Sequence, residues 1–200
     1  MSKNREASLD KKFNKLVRIV KSKKSLNEMT MADVVSLKSA LNTIHNIATL
    51  KTTYLLLDRL AELFPEVNDN KESIRDTIKE KSENANGYDI EYHGKKISFV
   101  AEVKCCIPIS NGVKFGAQQE NGIKKDLSNL RNGKTKSSLC KDKKSLEGYY
   151  KFLGVYNNEE GKVATAMDNL CRNEKGISFH VPKKPDEDTI YIVMLGDDKK

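Results

Sequence analysis

Apolar and polar residues change period along this chain, and the changes mark out its elements. Over 88–92, Tyr88, Ile90 and Tyr92 alternate with Asp89 and Glu91, the period of two that a strand requires. A second run over 97–107 is rich in Ile, Phe and Val, and Gly94 stands between the two where a hairpin turn calls for φ > 0. Along this second strand Ser98, Val100, Glu102, Lys104 and Cys106 share one face. Phe99, Ala101, Val103, Cys105 and Ile107 share the other, which is wholly apolar.

Upstream the period lengthens to that of a helix. Val34, Val35, Leu37, Leu41, Ile44 and Ile47, then Leu50, Tyr54, Leu57, Leu60, Leu63 and Phe64, predict helix over 31–64, capped by Thr30 or Asp33 and stopped with the help of Pro65. Because 34 residues exceed the usual globular length, a break is expected near 46–49. The piece over 52–64 is apolar enough to lie against a sheet. Leu9, Phe13, Leu16, Val17 and Val20 also recur at helical spacing, within a segment over 1–25 that holds nine Lys or Arg against Glu6 and Asp10. A basic amphipathic helix is expected there, either touching phosphates or a membrane surface or packing one stripe on the body.

Between these regions a short helix is expected over 71–82, followed by an Asn86-Gly87 turn. Beyond the hairpin, Pro108 ends the strand and Asn111-Gly112 marks a turn. Phe115, Gln119, Ile123, Leu127 and Leu130 then predict a helix over 113–130, weakened by Gly116 and Gly122. A central strand over 149–156, a helix over 162–170 and strands over 177–181 and 189–195 complete the pattern, with a frayed tail from Gly196. The mixture predicts an α/β or α+β fold with a mixed sheet, in one domain of 200 residues.

Composition narrows the classes. With 38% hydrophobic and 32% charged residues the chain suits a folded protein that is more polar than average. A net charge of +8 favours a polyanionic partner, nucleic acid first and anionic membrane second. Absence of a long apolar run or of a leader-like N-terminus leads us to expect a cytoplasmic protein with no membrane span. Cys105, Cys106, Cys140 and Cys171 lack C-x-x-C spacing, and His45, His93 and His180 are scattered, so neither zinc nor a disulfide framework is expected. The window over 114–144 carries nine basic residues against three acids. Within it Lys114, Lys124, Lys125, Arg131, Lys134 and Lys136 are candidate phosphate contacts, and Gln118 and Gln119 are candidate amides for a phosphate or water.

The chemistry converges on the hairpin. With a two-residue loop, His93-Gly94 or Gly94-Lys95, Asp89 falls on the same face as Glu102 and Lys104; a three-residue bulged loop would separate them. An acid in the middle of an apolar strand is costly to bury unless it is paired or binds a cation. Asp89 and Glu102 offer hard oxygen ligands, for which Mg²⁺ is the natural ion. Glu62 and Glu66, on the preceding helix, can either add a carboxylate to that site or lie on the surface. The plainer alternative for the whole cluster is a set of solvated charges on an amphipathic hairpin.

Asp89 followed by Glu102-Val103-Lys104 resembles the D…(D/E)-x-K signature of the PD-(D/E)XK nucleases, with Tyr88 where the family name has proline. The resemblance implies a restriction-endonuclease-like α/β fold, a mixed β-sheet flanked by helices, with 1–48 as an N-terminal helical extension and 49–200 as the core. It implies Asp89, Glu102 and Lys104 as catalytic residues, and Asp89 and Glu102 as ligands of Mg²⁺. The implied function is a type II restriction endonuclease that cuts a specific short double-stranded DNA sequence as a homodimer, with a DNA methyltransferase in the same system. Another nuclease of that fold, such as a junction resolvase, a repair nuclease or a phage-defence enzyme, is the alternative. A non-catalytic nucleic-acid-binding module is the third possibility.

Overall fold

A computed structural model describes residues 5–21, 26–82, 86–134, 146–157 and 161–196. Its centre is a mixed sheet of five strands, β1 (Ile90–His93), β2 (Ser98–Lys104), β3 (Tyr150–Tyr156), β4 (Ile177–Ser178) and β5 (Ile190–Leu195), in the order β1-β2-β3-β5-β4. Only the β1–β2 pair is antiparallel; β2, β3, β5 and β4 run parallel. Parallel neighbours need crossovers, and the helices that lie between them in sequence, 117–132 and 162–171, pack on the same face of the sheet. The result is an α/β architecture, a mixed sheet flanked by helices with a helical N-terminal segment, as the sequence led us to expect.

One face is covered by α2 (Met31–Leu63), with α1 (Arg5–Lys21), α3 (Pro65–Asp69) and α4 (Lys71–Glu80) around it. Leu56, Leu57, Leu60, Phe64, Ile74 and Ile78 meet Ile90, Phe99, Ala101, Val103, Phe152 and Val193 there. The other face carries α5 (Ala117–Asn132) and α6 (Lys162–Cys171), whose Ile123, Leu127, Leu130, Val163 and Met167 meet Val100, Leu153, Val155 and Ile192. On β2 the two sets alternate residue by residue, as the pleat dictates. No described helix is long and apolar enough to cross a membrane.

Several local expectations are corrected. The α2 helix runs unbroken for 33 residues, through the stretch where a break was expected. Neither Gly nor Pro interrupts it. The hydroxyls of Thr43, Thr52 and Thr53 donate to the carbonyls one turn back, at 3.2, 2.8 and 2.8 Å, and α1 packs alongside it, with the Tyr54 hydroxyl donating to Glu6. Its N-terminus is a capping box in which Thr30 and Asp33 bond reciprocally, so both candidate caps are used. Pro65 is the first residue of α3 rather than only a stop. The second strand ends at Lys104, so Cys105 and Ile107 lie beyond it and are exposed. The strand expected over 177–181 shrinks to two residues.

The hairpin loop also differs: His93 pairs with Ser98, which leaves four residues, Gly94 to Ile97, in the loop. Gly94 does not take a positive φ. Glycine is needed there for space, since a Cβ would stand 2.6 Å from the Ile97 carbonyl oxygen and 2.7 Å from the Tyr92 ring. Glu66, at the start of α3, fastens the loop by accepting from the backbone N–H groups of Lys95, Lys96 and Ile97 at 2.6, 2.8 and 3.1 Å. These bonds hold its carboxyl below the ordinary value despite an opposing desolvation.

Gly154 leaves room for α2 against the sheet. A Cβ on it would lie 2.9 Å from Leu56 Cδ2 and 3.1 Å from Leu195 Cδ1, and Leu56 is fully buried and cannot retreat. Gly154→Val is therefore expected to destabilise the fold by about 1–3 kcal/mol. Urea denaturation checks this, and an unchanged midpoint would mean that α2 rides higher over β3 than described.

Candidate active site

The β1–β2 register pairs Ile90 with Ala101. The pairing ends there, and Asp89, the residue before β1, lies near Glu102: it accepts from the N–H of the adjacent Val103, and its charge acts on the Glu102 carboxyl. Loops of two and four residues leave the same side chains on the same face, because the side-chain period is two. The longer loop therefore preserves the convergence expected of Asp89, Glu102 and Lys104.

Asp89 lies just before β1, and its Oδ2 accepts from the Val103 backbone N–H at 2.8 Å. Tyr88 departs from the alternation expected of it, leaving the α2 side and joining the core under α5. The Tyr88 hydroxyl donates to the Asn129 carbonyl at 2.9 Å and accepts from the Lys134 backbone N–H at 3.0 Å, tying the base of the hairpin to the end of α5. The Glu91 carboxylate turns back to accept from the Tyr88 N–H at 2.9 Å.

Glu102 sits in mid-strand and is only 3% exposed. Its Oε1 meets the Lys134 ammonium as an ion pair, without a well-directed hydrogen bond. Burial, then the nearby Asp89 and Asp126 carboxylates, push its carboxyl up to about 8 against the pull of Lys134. Lys104 ends β2 and is paired with Asp126 of α5 at 2.7 Å. Burial works to lower its ammonium, but Asp126 outweighs that, with help from Cys106 and Glu102, and the net shift is upward. Gly122 of α5 faces the lysine, where a Cβ would stand at an ordinary contact of 3.9 Å from Nζ. Gln119 and Asp126, one turn to either side of Gly122, flank the same spot, and the Gln119 Oε1 is buried without a hydrogen-bond partner.

A third lysine, Lys81, stands just past α4 and donates to the Tyr88 carbonyl at 2.9 Å. Burial lowers its ammonium, against the opposing fields of Glu91, Asp89 and Glu102. Sequence reasoning missed Lys81 and Asp126 altogether. Helical spacing could have placed Asp126 seven residues after Gln119, on the face that meets β2, whereas nothing local to Lys81 pointed at the hairpin.

The remaining candidates are dispersed. Lys114, Gln118 and Lys125 are exposed. Lys124 is paired with Glu120 at 2.6 Å, and Arg131 donates to the Lys175 carbonyl at 3.0 Å. Lys134, expected at a phosphate, contacts Glu102 instead. Lys136 lies outside the described residues. Glu66 holds the hairpin loop, at the end of β1 away from Asp89, and Glu62 pairs with Arg59 at 2.5 Å, so the structure places both away from the acids.

Among the described residues no group of three or more His, Cys, Asp or Glu is placed to hold a metal ion. Zinc-like coordination by protein alone is therefore not what this arrangement offers. Two hard carboxylates, one of them buried against a cation, do match the donor set of an Mg²⁺ site completed by water and phosphate. No protein-family model, curated protein or solved structure matches the chain.

Proposed function

We propose that the protein is an Mg²⁺-dependent DNA endonuclease with Asp89 and Glu102 as the cation ligands and Lys104 as the catalytic ammonium. The observation that carries this reading is the proximity of Asp89 to Glu102, through its bond from the Val103 N–H and its charge at the Glu102 carboxyl, with Lys104 two residues on from Glu102 along β2. An Mg²⁺ ion bound there supplies charge stabilisation at the phosphoryl group and a more acidic water. Asp89 and Glu102 hold the ion. Lys104, fixed by Asp126, faces the charge that develops on the phosphate. The resemblance to type II restriction enzymes extends the reading to a sequence-specific cytoplasmic homodimer acting on duplex DNA, with a junction, repair or phage-defence nuclease as the alternative within the same chemistry.

One observation favours a second reading. Each charged group of the motif already has a partner: Asp89 with the Val103 N–H, Glu102 with Lys134 and Lys104 with Asp126. A closed cluster of this kind can also serve a non-catalytic nucleic-acid-binding module by joining α5 to the hairpin.

Incubation with long phage DNA, with and without Mg²⁺, separates the two readings. The nuclease reading expects cutting only with the ion, as discrete bands if the enzyme is sequence-specific. Parallel assays on branched DNA distinguish a resolvase. Absence of cutting on every substrate, with DNA still bound, would leave the binding module.

A further inference from the structure

Lys134 is held in an unusual way for a residue at the end of a helix. Gly133 closes α5 with a φ of 84°, a turn that glycine makes without strain, and delivers the next residue towards the hairpin. The Lys134 backbone is then fixed by its N–H bond to the Tyr88 hydroxyl. The side chain makes two kinds of contact. Its ammonium rests on Glu102 Oε1, and it also donates to the Gly87 carbonyl at 2.5 Å and lies 5.1 Å from the centre of the Tyr88 ring.

We propose that Lys134 is the resident counter-ion of the cation site, and that a divalent ion binds by displacing its ammonium from Glu102. The inference rests on the assignment of Asp89 and Glu102 as ligands. A dication and an ammonium brought to one buried carboxylate repel each other across a few ångströms of low-dielectric interior, so the ion and Lys134 compete for Glu102 whichever of its oxygens the ion takes. Leaving Glu102 without any cation is also costly, since a buried unpaired carboxylate is strongly disfavoured. The lysine meets both conditions, standing against the acid when the ion is absent and yielding when it arrives. Its other two contacts, with the Gly87 carbonyl and the Tyr88 ring, do not involve the carboxylate and remain available when the ion arrives. Lys81 carries the same charge in the same pocket but donates to the Tyr88 carbonyl, which separates a field effect from direct occupancy.

The test is Mn²⁺ binding to the DNA-free protein, measured by electron paramagnetic resonance or calorimetry. Lys134→Met is expected to bind Mn²⁺ roughly tenfold or more tightly than the wild type, while Lys81→Met gains much less. Equal affinity in wild type and Lys134→Met, with binding lost in Glu102→Gln, would overturn the counter-ion role and leave the two-acid site standing. No binding by either protein would overturn both. If Lys134→Met does not fold, the wild type answers alone through acylation of its lysines followed by peptide mass spectrometry. Reactivity of Lys134 that rises with Mg²⁺ supports displacement, and unchanged reactivity refutes it.

Discussion

Glu102→Gln is expected to lower Mg²⁺-dependent DNA cleavage by about 10³-fold or more, on the scale of losing one charge-stabilising group aimed at the reacting centre, while leaving DNA binding near the wild-type level. The substitution keeps the size of the side chain and removes only its charge, so the packing of β2 against β3 at Leu153 survives. Single-turnover cleavage and a binding assay in EDTA, run side by side, check it. Equal cutting by variant and wild type would remove Glu102 from the reaction. Equal loss of cutting and binding would point instead to a structural role.

The second large effect concerns pH. The folded carboxyl of Glu102 is pushed up to about 8 from an ordinary 4.5, first by burial and then by Asp89 and Asp126. Between those values the unfolded chain has released its proton while the folded chain keeps one. The folded state thus binds more protons, and stability falls as pH rises through the window. The loss from this group amounts to roughly 5 kcal/mol at most across the whole interval, and it stops above the upper value. Urea denaturation in EDTA between pH 5 and 8 is expected to show a wild-type decline that Glu102→Gln largely lacks. Matching slopes in the two proteins would mean that Glu102 titrates as an ordinary glutamate.

What the sequence disclosed about this site was its parity, not its detail. Alternation along 97–107 assigned Phe99, Ala101 and Val103 to one layer and Val100, Glu102 and Lys104 to the other, and the two buried clusters divide in that way. The turn was mistaken because Gly94 invites a left-handed tight turn, whereas Glu66, 29 residues upstream of Lys95, gathers three loop amides and stabilises a wider one. A contact at that separation leaves no trace in the local pattern. The continuous α2 helix was hidden for a similar reason: its length alone argued for a break, but α1 gives it a partner to pack on. Counter-charges were the least legible part. Asp126 and Lys134 belong to a helix and its end that reach β2 only through the fold, so Lys134 read as one more base in a basic run.

The hydrogen bond between Asp89 and Val103 limits what this aspartate can offer an ion. One of its oxygens, Oδ2, is already committed to a main-chain amide of β2, whose residue is buried opposite Gly154, where α2 leaves no room for a side chain. Releasing that amide would strand a donor at a tightly packed point of the molecule. Within the metal reading, Asp89 is thereby confined to monodentate ligation through Oδ1. That denticity suits a small octahedral ion such as Mg²⁺, and it disfavours Ca²⁺, whose larger shell often takes a carboxylate through both oxygens.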